Sequence, residues 1–392
     1  MSSTFNVPST IVHGAGARNH VADQAQRLGA KRVLMVTDAG VVQLGTAGEI
    51  RQLLEDRDFD VKVFDKVQSD PTDHNVLDGL AGLQDHNSDV IVAVGGGSAI
   101  DTAKVIGILA ANPLPMQQYM GYEKVLAPGS PLIAIPTTAG TGSEVTKAAV
   151  ITDTGHDVKM MMFSLNLLPT VALVDYELTM TMPPGLTAAV GVDTLTHAIE
   201  AYVSKKANAM TDPIALCCIR LVATHLRTAW REPGNSEARE GMMLAACQGG
   251  MAFSNSSVCL VHGMSRPIGA MFHLPHGLSN AVLLPTVTRY SISSLTRANP
   301  ASQRYAAVSR AMGCANGSQS DQIAAEALIE GLEQLNADLE LPRLGQCKGV
   351  DDARFNDSVQ KMAHDALASG SPQNNPRVPC EQEIVDLYQE AW

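Results

Sequence analysis

The first half of the chain alternates short β-branched runs with amphipathic stretches, and that alternation constrains the fold more than any other feature. Lys31-Arg-Val-Leu-Met-Val-Thr-Asp38 reads as a buried strand ending in an acid. Asp60–Asp65, Ser88–Val94, Pro131–Pro136 and Val171–Asp175 read as four more. Between them, Thr46–Arg57, Asn75–Asn87 and Ile100–Ala111 carry helical periodicity. Strands that alternate with helices pair in parallel, because each crossover uses the helix to return the chain to the same end of the sheet. The expected architecture is therefore a doubly wound α/β sheet. After Met182-Pro-Pro-Gly185 the strand-like runs become scarce, and long Ala/Leu/Met-rich helical patterns continue to the C-terminus. Proline suits the first turn of a helix but not its interior. The boundary is accordingly placed near residue 185, with an α/β domain over 1–185 and an all-α domain over 186–392. The polar stretch Ala368–Arg377 reads as a simple connection to a last helix at Glu381–Glu390.

Composition narrows the function. The formal net charge is −12 and no dense Lys/Arg run occurs. Nucleic acids and anionic membrane surfaces both require basic patches, so neither is expected as a partner. The seven cysteines include no CxxC pair and are odd in number, which favours reduced thiols over a disulfide framework. The N-terminal residues lack the charged and apolar regions of a signal peptide, and no apolar run approaches a membrane span. A soluble cytoplasmic protein is the expectation.

Gly95-Gly-Gly-Ser98 follows a strand and opens a helix. Glycines there let backbone N–H groups approach an anion, and the helix dipole adds positive potential, so a pyrophosphate is the natural occupant; a tight turn is the alternative. Ser98 and Asp101 have capping-box spacing, which predicts the helix start at Ser98. Neither GxGxxG nor GxxxxGK[ST] is present, so this is neither the common Rossmann fingerprint nor a P-loop. Asp38, at a strand's carboxyl end, suits acceptance of ribose hydroxyls, which would favour NAD over NADP; it equally suits a helix N-cap. Thr137-Thr-Ala-Gly-Thr-Gly-Ser-Glu144 offers hydroxyls at another strand end, either for phosphate or carboxamide or as a polar turn.

The residues richest in chemistry are Asp193, His197, His262 and His276. A spacing of four puts Asp193 and His197 on one helical face. His262 and His276 lie fourteen positions apart in Val261–Gly277, with Pro267 expected to break any single helix between them. One carboxylate and three imidazoles suit Fe²⁺ or Zn²⁺ before Ca²⁺ or Mg²⁺. Spacing alone leaves open whether the four converge. His273 lies near, as a residue behind the ligands, a substrate-pocket residue or a packed one.

Taken together, these segments resemble the iron-containing (group III) alcohol dehydrogenases, which share a dehydroquinate synthase-like fold. The resemblance runs through Phe5–Gly16, Val36-Thr-Asp38, Gly95–Lys104, Pro136–Glu144, Met182-Pro-Pro184, Gly191–Tyr202 and His262–Gly277. It implies a nucleotide-binding α/β domain, a helical metal-binding domain and an active site in the cleft between them. It implies Asp193, His197, His262 and His276 as metal ligands, holding Fe²⁺ or alternatively Zn²⁺. It implies that Asp38, Gly95, Gly96, Gly97, Ser98, Asp101, Thr137, Thr138, Thr141 and Ser143 line a site for NAD, or alternatively NADP, with Lys159 near the nicotinamide end. The implied activity is hydride transfer between a small alcohol or aldehyde and nicotinamide, by a homodimer or larger homo-oligomer. Its rivals are a hydroxyacid–oxoacid transhydrogenase and a non-redox lyase of the dehydroquinate synthase type.

One position departs from the pattern. Many members have a further His four residues beyond the third ligand, a proton-relay candidate; here it is Arg266. Arginine cannot shuttle protons near neutrality. Either Arg266 binds a negative group by its fork or it is a structural residue, and the proton then passes through water or His273.

Overall fold

The computed structural model describes residues 2–156, 158–293 and 300–392. The chain divides into two compact units, one of Asn6–Thr181 and one built chiefly of Met182–Trp392.

The first unit runs β1 (Thr10–His13), α1 (Val21–Arg27), β2 (Arg32–Asp38), α2 (Ala39–Gln43), α3 (Thr46–Glu55), β3 (Asp60–Val67) and α4 (Asp73–His86). It continues through β4 (Val90–Gly95), α5 (Gly97–Leu109), β5 (Gly121–Tyr122), β6 (Leu132–Pro136), β7 (Ala148–Asp153), β8 (Val158–Phe163) and β9 (Val171–Val174). Six strands form one sheet in the order β1-β9-β6-β4-β2-β3, and every pair in it is parallel. This is the doubly wound sheet that the alternation predicts. Its two faces separate by the two-residue period of a strand. Leu34, Val36, Ile91 and Ala93 face one core with Ile100 and Ile106. Val33, Met35, Val92 and Val94 face the other with Ile50 and Leu54. Burial on both faces is why these strands read as continuous apolar runs.

Two features were not expected. β1 joins the sheet edge, paired with β9. A separate three-stranded sheet, β5-β8-β7, contains the run Met160-Met-Met162. Methionine has little strand preference, so nothing in that run announced a strand.

Within the second unit lie α6 (Pro184–Val203), α7 (Asp212–Arg231), α8 (Ser236–Ser254), α9 (Leu260–Phe272), α10 (His276–Ser293), α11 (Pro300–Ala311), α12 (Asp321–Asp338), α13 (Asp352–Ala368) and α14 (Glu381–Ala391). Pro184 occupies the first turn of α6, where its missing N–H costs nothing. From Gly191 to Val203 every α6 residue is buried, because α7, α8 and α10 surround it. A helix enclosed this way needs no polar face, which leaves its interior free for functional side chains.

The expected break at Pro267 does not occur. Pro267 sits inside α9, which continues to Phe272. The turn comes at His273, whose left-handed backbone (φ 54°) ends α9 just before Pro275. One proline removes only a single ladder hydrogen bond, and the surrounding burial of α9 holds the helix together. The stretch before α14 is also more than a connection. Asn374 and Asn375 are buried, and Asn374 Nδ2 donates to Ser257 Oγ at 2.8 Å.

Candidate functional site

Three helices of the second unit bring the four metal-type residues together. α6 contributes Asp193 and His197 one turn apart, α9 contributes His262 in its first turn, and α10 begins at His276. One ligand atom from each lies within 4.8 Å of all the others. Asp193 Oδ1 is 3.8 Å from His197 Nε2 and 3.7 Å from His262 Nε2. His197 stacks between Phe253 and His262, with ring centroids 4.3 and 4.8 Å away. Asp193, His197 and His262 are buried. His276 is exposed as a residue, yet its Nε2 is turned inward, 3.2 Å from Asn280 Nδ2.

Burial keeps the imidazoles of His262 and His276 neutral. Desolvation holds His262 well below the usual histidine range; His197 and Arg266 add to the effect and Asp193 opposes it. Desolvation likewise lowers His276, with Asp193 opposing and His262, His197 and Arg266 reinforcing. Neutral imidazoles present lone pairs, which is the state a metal ligand requires.

Asn280 reports what this arrangement lacks. Its Nδ2 donates to Asp193 Oδ1 at 2.6 Å and lies 3.2 Å from both His262 Nε2 and His276 Nε2. One amide with two protons faces three acceptors, and its own Oδ1 is buried with no hydrogen-bond partner among the described residues. An excess of inward lone pairs fits a cation. The set carries one negative charge, one short of neutralising a dication, so a bound ion stays electrophilic.

Glu200 lies on the same face of α6, seven residues beyond Asp193. Its Oε1 accepts from Val261 N at 2.6 Å, and its Oε2 accepts from Cys259 N at 2.8 Å and from His262 Nδ1 at 2.7 Å. Burial pushes this carboxyl up to about 7 against the pull of the groups that bond it. Arg266, one turn beyond His262, donates to Ser371 Oγ at 2.8 Å. His273 is exposed.

In the first unit, β6, β4 and β2 are neighbours, so their carboxyl ends gather the glycine loop, Asp38 and the threonine loop. Gly95 has φ +154°, and a Cβ on it would lie 2.7 Å from Ala99 Cβ and 3.2 Å from Asp38 Oδ2. A Cβ on Gly96 would lie 3.5 Å from Thr138 Oγ1, and one on Gly97 3.1 Å from Thr141 Oγ1. Thr137 N donates to Gly95 O at 3.1 Å. Asp38 combines both of its readings: Oδ1 caps α2 by accepting from Val41 N at 3.0 Å, while Oδ2 faces Gly95.

Three expected cradle residues have other occupations. The helix starts at Gly97 with Gly96 as N-cap, not at Ser98, whose hydroxyl instead donates to Ser69 O at 2.6 Å. Asp101 is no capping residue. Its Oδ1 accepts from Ser143 Oγ at 2.5 Å and its Oδ2 from Val150 N at 3.0 Å. Both Asp101 and Ser143 serve the buried Lys104, whose Nζ donates to Ser143 Oγ, Thr146 Oγ1 and Ala148 O at 2.9, 3.1 and 2.7 Å. A buried ammonium demands acceptors, and these two side chains help to supply them. Burial also pushes the neighbouring Glu144 up to about 7. Lys159 pairs with Asp70 at 2.7 Å, in the loop that Ser98 anchors through Ser69.

The sequence reading did not single out Glu200, Asn280 or Lys104. Helical spacing from Asp193 and His276 held the signal for the first two, but only once the four-residue cluster was in place.

Comparison with known proteins shows the family. A family model described as iron-containing alcohol dehydrogenase matches residues 8–176, and its C-terminal counterpart matches residues 187–392. The chain is 40% identical to the 1,3-propanediol dehydrogenase of Klebsiella pneumoniae over 99% of this chain and 98% of that protein. It is 37% identical to the NAD-dependent methanol dehydrogenase of Bacillus methanolicus over 99% of this chain and all of that protein (100%). A crystal structure of a 1,3-propanediol oxidoreductase superposes with a TM-score of 0.95 at 38% identity, covering 100% of both chains.

Proposed function

This chain belongs to the iron-containing alcohol dehydrogenase family, and from that premise we propose how its residues divide the reaction. The activity is that of an alcohol dehydrogenase and aldehyde reductase, with hydride passing reversibly between a small alcohol and nicotinamide. Asp193, His197, His262 and His276 hold Fe²⁺, with Zn²⁺ as the alternative. Asp38, Gly95, Gly96, Gly97, Thr137, Thr138 and Thr141 hold NAD, with NADP as the alternative. When bound, the metal supplies a Lewis acid for an alcohol or carbonyl oxygen, and the nucleotide supplies the hydride acceptor.

The convergence of four ligand atoms within 4.8 Å carries this reading. The low proton affinity of His262 and His276 keeps them available as ligands without first losing protons. The glycine loop lets backbone N–H groups at the start of α5 approach a pyrophosphate, because no Cβ stands in the way. Asp38 Oδ2 accepts from ribose hydroxyls and repels a 2′-phosphate. Lys159, paired with Asp70, is assigned to the nicotinamide end of the site. Arg266 cannot relay the substrate proton, and exposed His273 or water exchanges it with solvent.

The free cysteines suit a reducing compartment, in keeping with a cytoplasmic enzyme, and among the described residues no helix is long and apolar enough to cross a membrane. A homodimer or larger homo-oligomer is the assembly the family resemblance favours.

The test is NADH formation by chelator-stripped protein across a panel of small alcohols, diols and hydroxy acids, with and without added Fe²⁺ or Zn²⁺. Metal-dependent net NADH is expected, and His276→Ala is expected to abolish it while NAD binding persists. Full activity in that variant overturns the ligand assignment. Metal-loaded protein that makes no net NADH from any substrate favours a transhydrogenase or lyase.

A further inference from the structure

We propose that Glu200 is a positioning residue that fixes both the tautomer of His262 and the seat of α9 against α6. The inference rests on the reading that the four-residue set binds a divalent metal, and goes beyond it to a residue outside that set.

Asp193, His197 and Glu200 follow one another at i, i+4 and i+7, so they form one stripe on α6. The first two point ligand atoms at the centre. The third reaches past them to α9, where it meets three donors. Cys259, the N-cap of α9, makes no side-chain capping bond to its own helix. The first turn of any helix leaves N–H groups without intrahelical partners, and Glu200 takes two of them, Cys259 N at 2.8 Å and Val261 N at 2.6 Å. The carboxylate of α6 thus caps α9 in trans, at the end where negative charge is favoured.

The third donor links this cap to the site. His262 Nδ1 lies 2.7 Å from Glu200 Oε2. Oε1 and Oε2 already accept from two backbone N–H groups, which favour the ionised form against its burial, and an ionised carboxylate only accepts, so Nδ1 carries the proton and Nε2 keeps its lone pair. That Nε2 is the atom facing Asp193 Oδ1, at 3.7 Å. Glu200 therefore sets the ligating nitrogen, the ring angle and the depth of α9 at once. Carboxylate–histidine–metal relays work in this way, and loss of the outer partner typically weakens metal binding by about 10–100-fold.

Glu200→Gln separates this role from mere packing. The amide fills the same volume but has one acceptor end and one donor end. Two backbone N–H groups and one imidazole N–H cannot all be accepted by it. If the amide nitrogen turns to His262, Nδ1 must become the acceptor, and the proton moves to Nε2, where it blocks coordination.

Metal affinity is measured by anaerobic competition against a chromophoric chelator, for the wild-type chain and for Glu200→Gln. NAD affinity and the far-ultraviolet spectrum are recorded as controls. The expected result is a loss of metal affinity of about 10–100-fold with nucleotide binding unchanged. Equal metal affinity in the folded variant overturns the inference while leaving the metal reading intact. Failure of the wild-type protein itself to bind metal overturns the metal reading. If the variant does not fold, ¹⁵N-histidine spectra of the metal-free wild-type chain decide: a neutral Nδ1–H form of His262 is expected, and an Nε2–H form overturns the inference.

Discussion

Replacing Gly277 with alanine tests whether helix packing sets the metal site. A Cβ at Gly277 would lie 2.7 Å from Ala189 O and 3.0 Å from Ala189 C, both in the backbone of α6. An ordinary contact is about 3.5 Å, so α10 must withdraw by roughly 0.8 Å. Backbone cannot rotate aside as a side chain would. The residue before Gly277 is His276, and metal–ligand distances tolerate only about ±0.2 Å. The required withdrawal is several times that tolerance. Alanine does favour helix over glycine by about 1 kcal/mol, which offsets part of an overpacking cost of about 1–3 kcal/mol. Gly277→Ala is therefore expected to lose only about 0–2 kcal/mol of metal-free stability but at least tenfold in metal affinity. Urea unfolding of the stripped protein and chelator competition measure the two separately. A variant that gains about 1 kcal/mol and binds metal as tightly as wild type would refute the reasoning, since propensity would then have won over packing.

Three further outcomes follow from named residues. The Glu144 carboxyl is raised from 4.5 to about 7 by burial, so the folded state binds more protons than the unfolded state between those values. Its contribution is fully present below about pH 4.5 and is lost as pH rises towards about 7, costing on the order of 3 kcal/mol at most. Glu144→Gln should then gain stability over wild type at about pH 8 more than at about pH 5; a pH-independent difference in urea unfolding counts against this. Asp38→Ser should keep the α2 cap and improve the use of NADP relative to NAD, whereas Asp38→Ala should also lose about 1 kcal/mol. Unchanged coenzyme preference in both would remove Asp38 from ribose recognition. Saturating metal at about a thousand times Kd should stabilise wild type by about 4 kcal/mol and His262→Ala far less, as read by thermal unfolding.

Much of this was legible in the sequence because it depends on periodicity. Val33–Val36 and Val90–Val94 are buried on both faces, and such strands must be apolar throughout. The four-residue cluster was legible because Asp193 and His197 share a helical face, and the family resemblance put His262 and His276 in the same set. What escaped depends on three-dimensional neighbours. Asp101 looked like a cap until the buried ammonium of Lys104 claimed its surroundings. Pro267 looked like a helix breaker, but enclosure of α9 outweighs one missing hydrogen bond, and the left-handed turn at His273 does the breaking. Spacing from Asp193 puts Glu200 on the right face but not in its role, because its three donors come from a helix some sixty residues further along the chain.

The most direct test of the central claim is anomalous diffraction from crystals grown without oxygen and loaded with Fe²⁺. A single strong peak is expected, enclosed by Asp193, His197, His262 and His276, at about 2.0–2.2 Å from the carboxylate oxygen and each ring nitrogen. A loaded crystal with no peak there, or with iron held elsewhere while those four side chains keep their positions, would contradict it.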